Sequence, residues 1–237
     1  MGADAAVICH AVERHAWSSS ETALRCSAAL DSWDAMYSAG VVNRQYHHYS
    51  RDSSSIGCKL HLPFLKDVLR HAMHAGDIVL LTNDDTVVCS GIEKMAHHHA
   101  LVYGAVSMHR IEIRSSAEIR QFGRLAQDGV CDHIGRDAFA FSSKWLEAKW
   151  NEIPDFLLGE CLWDLCLAYM IRLDSGLSFT KDNAAMTFPG CEIPKGWVLH
   201  VEHQNRWSRE DGPSKQHNGN CYRRWLESRK VTCPWLG

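Results

Sequence analysis

The chain has 237 residues, 46% hydrophobic and 22% charged, and its 25 basic against 28 acidic side chains leave a net charge of −3. Nine Trp, six Tyr and seven Phe are spread along it with no charge block and no repeat, which excludes collagen-like, coiled-coil and disordered chains. Size scaling has a chain of this length bury about 72% of its extended surface, enough for one substantial core without disulfides, so one α/β domain with at most a small appendage is expected.

Ala5 to Val12 is a short apolar run without a helical stripe, the pattern of a buried first strand. Ser18-Ser19-Ser20-Glu21 offers an N-cap, and Cys26, Leu30, Trp33 and Tyr37 recur at helical spacing up to Gly40. Val41 to Tyr46 predicts a second strand. Leu65, Val68, Leu69 and Ala72 form a helical stripe behind Pro63 and before Gly76. Asp77 to Thr82 is a continuously apolar strand of the kind buried inside a parallel sheet. Strand, helix, strand, helix, strand predicts a doubly wound sheet, whose ligands lie beyond the carboxyl ends of the strands. Past Asn83-Asp84-Asp85 the pattern predicts a helix from Thr86 to about His97, then strands over 100–106, 111–113 and 139–141. A helix over 161–173 and a strand over 197–201 follow, and the segment after His203 reads as polar and irregular, with a short final helix over 222–229.

Met1 to His10 lacks the basic, apolar and small-residue succession of a secretory leader. The longest apolar stretch, 156–171, is broken by Glu160 and Asp164, so no membrane span is expected. Ten Cys include no Cys-x-x-Cys, and reduced, buried thiols in a cytoplasmic setting are the expectation. Residues 1–180 carry 16 basic and 22 acidic groups while 181–237 carry 9 and 6, so an anionic partner is expected at the C-terminal end.

Three groups of residues carry chemistry. Asn83-Asp84-Asp85, at the tip of a buried strand, is either an Asx turn or a set of oxygens for a divalent cation or sugar hydroxyls. Asp137, in Gly135-Arg136-Asp137-Ala138-Phe139-Ala140-Phe141, precedes the stretch Ile153 to Asp164, where Glu160 and Asp164 stand four apart as on one helix face. These acids are either solvated surface groups or candidate bases for an acceptor hydroxyl. His203-Gln204-Asn205 ends the late strand, where His203 is either a hydrogen-bonded histidine or a metal or phosphate ligand. His97-His98-His99 and His71-x-x-His74 lack partners at zinc spacing and read as surface groups. The segment from His203 to Lys230 mixes seven basic and three acidic residues with Trp207, Tyr222 and Trp225, which suits either a docked helix or contacts with nucleic acid.

In order, Asn83 and Asp85, Asp137 with Phe139 and Phe141, Ile153, Pro154, Phe156 and Gly159, Trp163 and Asp164, and His203, Gln204 and Asn205 resemble the pattern of glycosyltransferase-like proteins of the GT-A fold. The chain departs from that pattern at Ala138, Asp155 and Glu160, where the family tends to have an aromatic, a second proline and a basic residue. The resemblance implies a GT-A-like doubly wound mixed sheet flanked by helices over residues 1–205, with an irregular basic aromatic segment, 206–237, packed on it. A nucleotide-diphosphate sugar would bind the half 1–106 through His10, Asn83, Asp84 and Asp85, with Mn²⁺ or Mg²⁺ held by Asp85 and His203. A hydroxyl acceptor, including one on a modified base of nucleic acid, would meet the half 107–205, with Asp164, Glu160 and Asp137 as catalytic acids and Trp163, Arg223 and Arg224 as acceptor contacts. A non-catalytic protein that binds nucleotides or nucleic acid on the same fold is the rival expectation.

Overall fold

The structure, a computed structural model, describes residues 7–12, 20–38, 42–45, 62–113, 136–177, 188, 190–201 and 212–231. Among the described residues seven strands form one sheet in the order β2-β1-β3-β6-β5-β7-β4. They are β1 (Ile8–Val12), β2 (Val42–Gln45), β3 (Ile78–Thr82), β4 (Thr86–Val88), β5 (Ala105–Ile113), β6 (Arg136–Ser142) and β7 (Glu192–Val201). The helices among the described residues are α1 (Ser20–Ser38), α2 (Leu65–Ala75), α3 (Ile92–Tyr103), α4 (Ser143–Lys149), α5 (Trp163–Asp174) and α6 (Pro213–Arg229).

β1 pairs in parallel with β2 and β3, as the alternating pattern predicts. β6 then runs antiparallel between β3 and β5, β7 lies parallel to β5, and β4 pairs antiparallel with β7. The sheet is therefore mixed. Ile78, Val79, Leu80 and Leu81 are fully buried because both faces of β3 are covered, which is why the run shows no alternation in the sequence. On one face Cys9, Ala11, Val79, Leu81, Phe139 and Phe141 pack against α2, α4, α5 and α6. On the other, Ile8, Ile78, Leu80, Val106, Met108, Ala138 and Ala140 meet Ala29, Trp33 and Met36 of α1 and Ile92, Ala96 and Ala100 of α3. α1 and α2 thus lie on opposite faces, and the connections diverge between β1 and β3, where a doubly wound sheet opens its crevice.

Several expected elements differ. The helix expected from Thr86 is replaced by β4, whose three residues are buried against β7, and the helix begins only at Ile92, after Gly91 in a left-handed conformation at φ 87°. α3 then runs on through Tyr103, because Ile92, Ala96 and Ala100 repeat every four residues, and the strand expected from Ala100 starts at Ala105. α4, absent from the sequence reading, is capped by Ser142, whose hydroxyl accepts the Trp145 N–H at 3.2 Å. The C-terminal segment is not irregular over 213–229 but a helix of 17 residues with Pro213 in its first turn. Tyr222, Trp225 and Leu226 bury its inner side in the core beside α5. The edge strand β4 is held from outside by α1: Trp33 Nε1 donates to the Thr86 carbonyl at 3.0 Å, and the Val88 N–H donates to Ser32 Oγ at 3.1 Å.

Gly104 makes the turn from α3 into β5 at φ 82°, and a Cβ there would lie 2.8 Å from Cδ1 of Trp145. Both strain and overlap oppose any side chain. Gly104→Ala should lower stability by about 2 kcal/mol, the scale of one strained backbone position. Urea unfolding would read this as a lower midpoint at unchanged slope.

Candidate functional site

β3 ends at Thr82, and the next four residues turn the chain into β4, the Thr86 N–H donating to the Asn83 carbonyl at 3.3 Å. Asn83-Asp84-Asp85 is therefore a tight turn, and the turn presents its side chains beyond the carboxyl end of β3. The amino end of antiparallel β6 arrives at the same place. There the Asn83 N–H donates to the Asp137 carbonyl at 3.3 Å, and Asn83 Nδ2 reaches Asp137 Oδ1 at 3.4 Å.

From Asp137 a chain of charges crosses the sheet. Arg110 Nη1 donates to both oxygens of Asp137 at 2.7 and 2.8 Å, and Arg110 Nη2 meets Glu112 at 2.6 Å. Glu112 Oε2 takes His200 Nδ1 at 2.8 Å, and His200 Nε2 faces Asp85 Oδ2 at 3.3 Å. The path thus closes on the turn where it began, through strands distant in sequence. His200 is nearly buried, which alone would lower its pKa, but hydrogen bonds to Asp85 and Glu112 and the charge of Asp137 push it up to about 10. At neutral pH it is an imidazolium.

Asp164 opens α5 next to this ring and is half-buried. Burial, and then the charge of Asp137, raise its pKa to about 6, against the Leu165 N–H and Arg110, which favour the ionised form. Four carboxylates, Asp85, Glu112, Asp137 and Asp164, thus face two fixed cations, Arg110 and His200. One carboxylate of the four is poised to exchange a proton near neutral pH.

Asn83, Asp85, Asp137 and Asp164, singled out from separate stretches of sequence, come together here. Asp84 occupies the middle of the same turn, half-buried. Glu160 does not share a helix face with Asp164, because α5 begins only at Trp163, after Leu162 at φ 79°. Its oxygens accept instead from the Cys161 N–H at 3.0 Å and from Ser214 Oγ at 2.7 Å, which ties α6 down. Trp163 is buried with its ring centroid 5.6 Å from that of Phe139, so it is a core residue. His10 is buried inside the sheet between Tyr37, at 2.5 Å, and Thr82, at 2.8 Å, at the boundary where the connections diverge. Arg223 and Arg224 are exposed on α6, and His203, Gln204 and Asn205 lie outside the described residues.

Arg110, Glu112 and His200 were missed. The signal for the first two was an Arg and a Glu two apart in the apolar strand 105–113, hence on one side of it. His200 lay inside the strand expected over 197–201 with nothing local to set it apart.

Of the two residues expected to hold a cation, Asp85 lies among the described residues and His203 does not. Asp137 gives both oxygens to Arg110, and Asp85 faces the His200 imidazolium, so these acids already meet positive charge. Among the described residues no three His, Cys, Asp or Glu side chains are grouped to hold a metal ion. Among the described residues Cys9, Cys89, Cys161, Cys166, Cys191 and Cys221 are free thiols, and no helix among those residues is long and apolar enough to cross a membrane.

Compared with models of protein families and with curated proteins, the sequence matches none of them.

Proposed function

We propose that this protein is a GT-A-like glycosyltransferase that moves a sugar from a nucleotide diphosphate to a hydroxyl acceptor. The observation that carries this reading is the meeting of Asp85, Asp137 and Asp164 at the carboxyl end of β3, with Asp164 raised to about 6 beside the Asp137 charge. Asn83 and Asp85 offer the side-chain oxygens and amide that the donor's ribose or sugar hydroxyls need. The donor lies across the crevice between β1 and β3, as ligands do in doubly wound sheets.

The acceptor hydroxyl approaches Asp164. As its oxygen bonds to the anomeric carbon, its proton passes to the Asp164 carboxylate, and the bond from that carbon to the phosphate oxygen breaks with its electron pair leaving on the nucleotide diphosphate. Asp137 is poorly suited to take the proton because Arg110 occupies both its oxygens. Arg223 and Arg224, exposed on α6, suit an acceptor that carries phosphates, such as nucleic acid.

Thermal unfolding with a panel of nucleotide-diphosphate sugars, with and without Mn²⁺, tests the reading. A true donor at 100 times its Kd stabilises by about 2.7 kcal/mol. Asp85→Asn removes the carboxylate facing His200 and should weaken donor binding about tenfold, a loss on the scale of one hydrogen bond to a charged group. If no nucleotide sugar stabilises the protein and none is slowly hydrolysed, the reading fails. Activity that survives EDTA would remove the cation from it.

A further inference from the structure

Arg110 reaches the site through an irregularity in β5. Its pairing with β6 shifts register between Met108 and His109, and its pairing with β7 shifts between Met108 and Arg110. His109 consequently joins Arg136 and Glu192 in the interior, at 3.2 and 3.4 Å, while Arg110 takes Asp137 and Glu112. Such bulges re-aim side chains next to sites. One planar guanidinium then grips carboxylates on two antiparallel strands, and a fork fixes both distance and orientation where an ammonium would fix only distance. Asp137, only 2% exposed, is pinned from the other side by Asn83.

We infer that Arg110 is the positioning residue of this site: its fork holds Asp137 and Glu112 in one geometry and so sets the charge that Asp164 meets when it takes a proton. The clamp stands on the contacts alone, and its catalytic consequence rests on the glycosyl-transfer reading. Among the described residues the groups that act on Asp164 are Asp137 from β6, Arg110 from β5 and, at the head of its own helix, the N–H groups of Asp164 and Leu165. Cys161 and Cys166 stand near, but burial above all pushes Cys161 up to about 12 and Cys166 well above its ordinary value, so both stay uncharged. Asp137 and Arg110 therefore pull Asp164 in opposite directions.

A carbon-detected NMR titration of the aspartate carboxyls in the full chain tests this without any substrate. Arg110→Gln should raise the Asp164 midpoint by about one pH unit, since removing an opposite charge nearby has that effect. Asp137→Asn should lower it, and Arg110→Lys, which keeps the charge but not the fork, should restore only part of the loss. In turnover, a rise of one pH unit moves the acid limb with it, so Arg110→Gln loses about tenfold at pH 5 and recovers by pH 8. A residue that merely holds the fold would change stability without moving Asp164 in two opposite directions. An Asp164 midpoint unchanged in both Arg110→Lys and Asp137→Asn, should Arg110→Gln fail to fold, overturns the clamp. Midpoints that move as expected in a chain that transfers no sugar leave the clamp standing and sink the glycosyl-transfer reading.

Discussion

Asp164→Asn is expected to lower turnover by about 10²- to 10⁴-fold, the usual span for removing a general base, and to leave donor affinity unchanged. The amide has the size of the carboxylate but cannot accept the acceptor's proton. The wild-type rate should rise with pH through about 6, where burial and Asp137 hold the Asp164 carboxyl, and the variant should lose that limb. Stability separates this loss from misfolding. A carboxyl raised above its unfolded value binds more protons in the folded chain, so it costs stability progressively as pH rises from its ordinary range through about 6. The Asn variant escapes that cost and should be at least as stable as the wild type at pH 8. Steady-state rates, calorimetry with donor and urea unfolding at pH 8 check all three parts. A variant of near-normal rate removes Asp164 as the base.

Glu192→Gln is expected to cost about 3 to 5 kcal/mol, the scale of breaking a buried ion pair from one side. Glu192 has no exposed side-chain surface and sits between two buried guanidiniums. Arg136 Nε and Nη2 donate to Oε1 at 3.2 and 2.8 Å, Arg172 Nε donates to Oε1 at 2.9 Å and Nη2 to Oε2 at 3.0 Å, and the Phe188 N–H adds 2.8 Å to Oε2. One residue thereby joins β6, α5 and the approach to β7. The variant leaves both cations without their counter-charge. Burial opposes ionisation of Glu192, but the His109 hydrogen bond and the charges of Arg136 and Arg172 prevail and hold its carboxyl at about 2. Because the folded value lies below the unfolded one, this contribution is complete above about pH 5 and disappears as pH falls toward 2. Urea midpoints at pH 7, 4 and 3 should therefore converge for wild type and variant as the acid is protonated. A variant as stable as the wild type at pH 7 would refute the account.

What the sequence disclosed, and what it hid, follows the range of each interaction. β3 was legible as an unbroken apolar run, and α2 from Leu65, Val68, Leu69 and Ala72, because burial of one stretch leaves a local signature. β4 was not, since Thr86, Val87 and Val88 are too few to show a period and become a strand only on meeting Val198, Leu199 and His200. The direction of β6 was likewise hidden, being settled by its pairing with β3 and β5. At the site, the acids stood out as polar residues at element ends. Arg110 and His200 did not, because His200 meets Glu112 across 88 positions and Arg110 needs a bulge to face Asp137.

The fastening of β4 by α1 has a bearing on how the molecule behaves in company. A strand at the margin of a sheet offers a row of unused amides and carbonyls on which another chain can crystallise as an added strand, the first step toward cross-β assembly. Along β4 the Trp33 indole takes the carbonyl of Thr86 and the Ser32 hydroxyl takes the amide of Val88. Side chains of one helix thus stand in for the missing neighbour, and this margin is closed to templated growth even though β4 itself is a run of β-branched residues well suited to seed it.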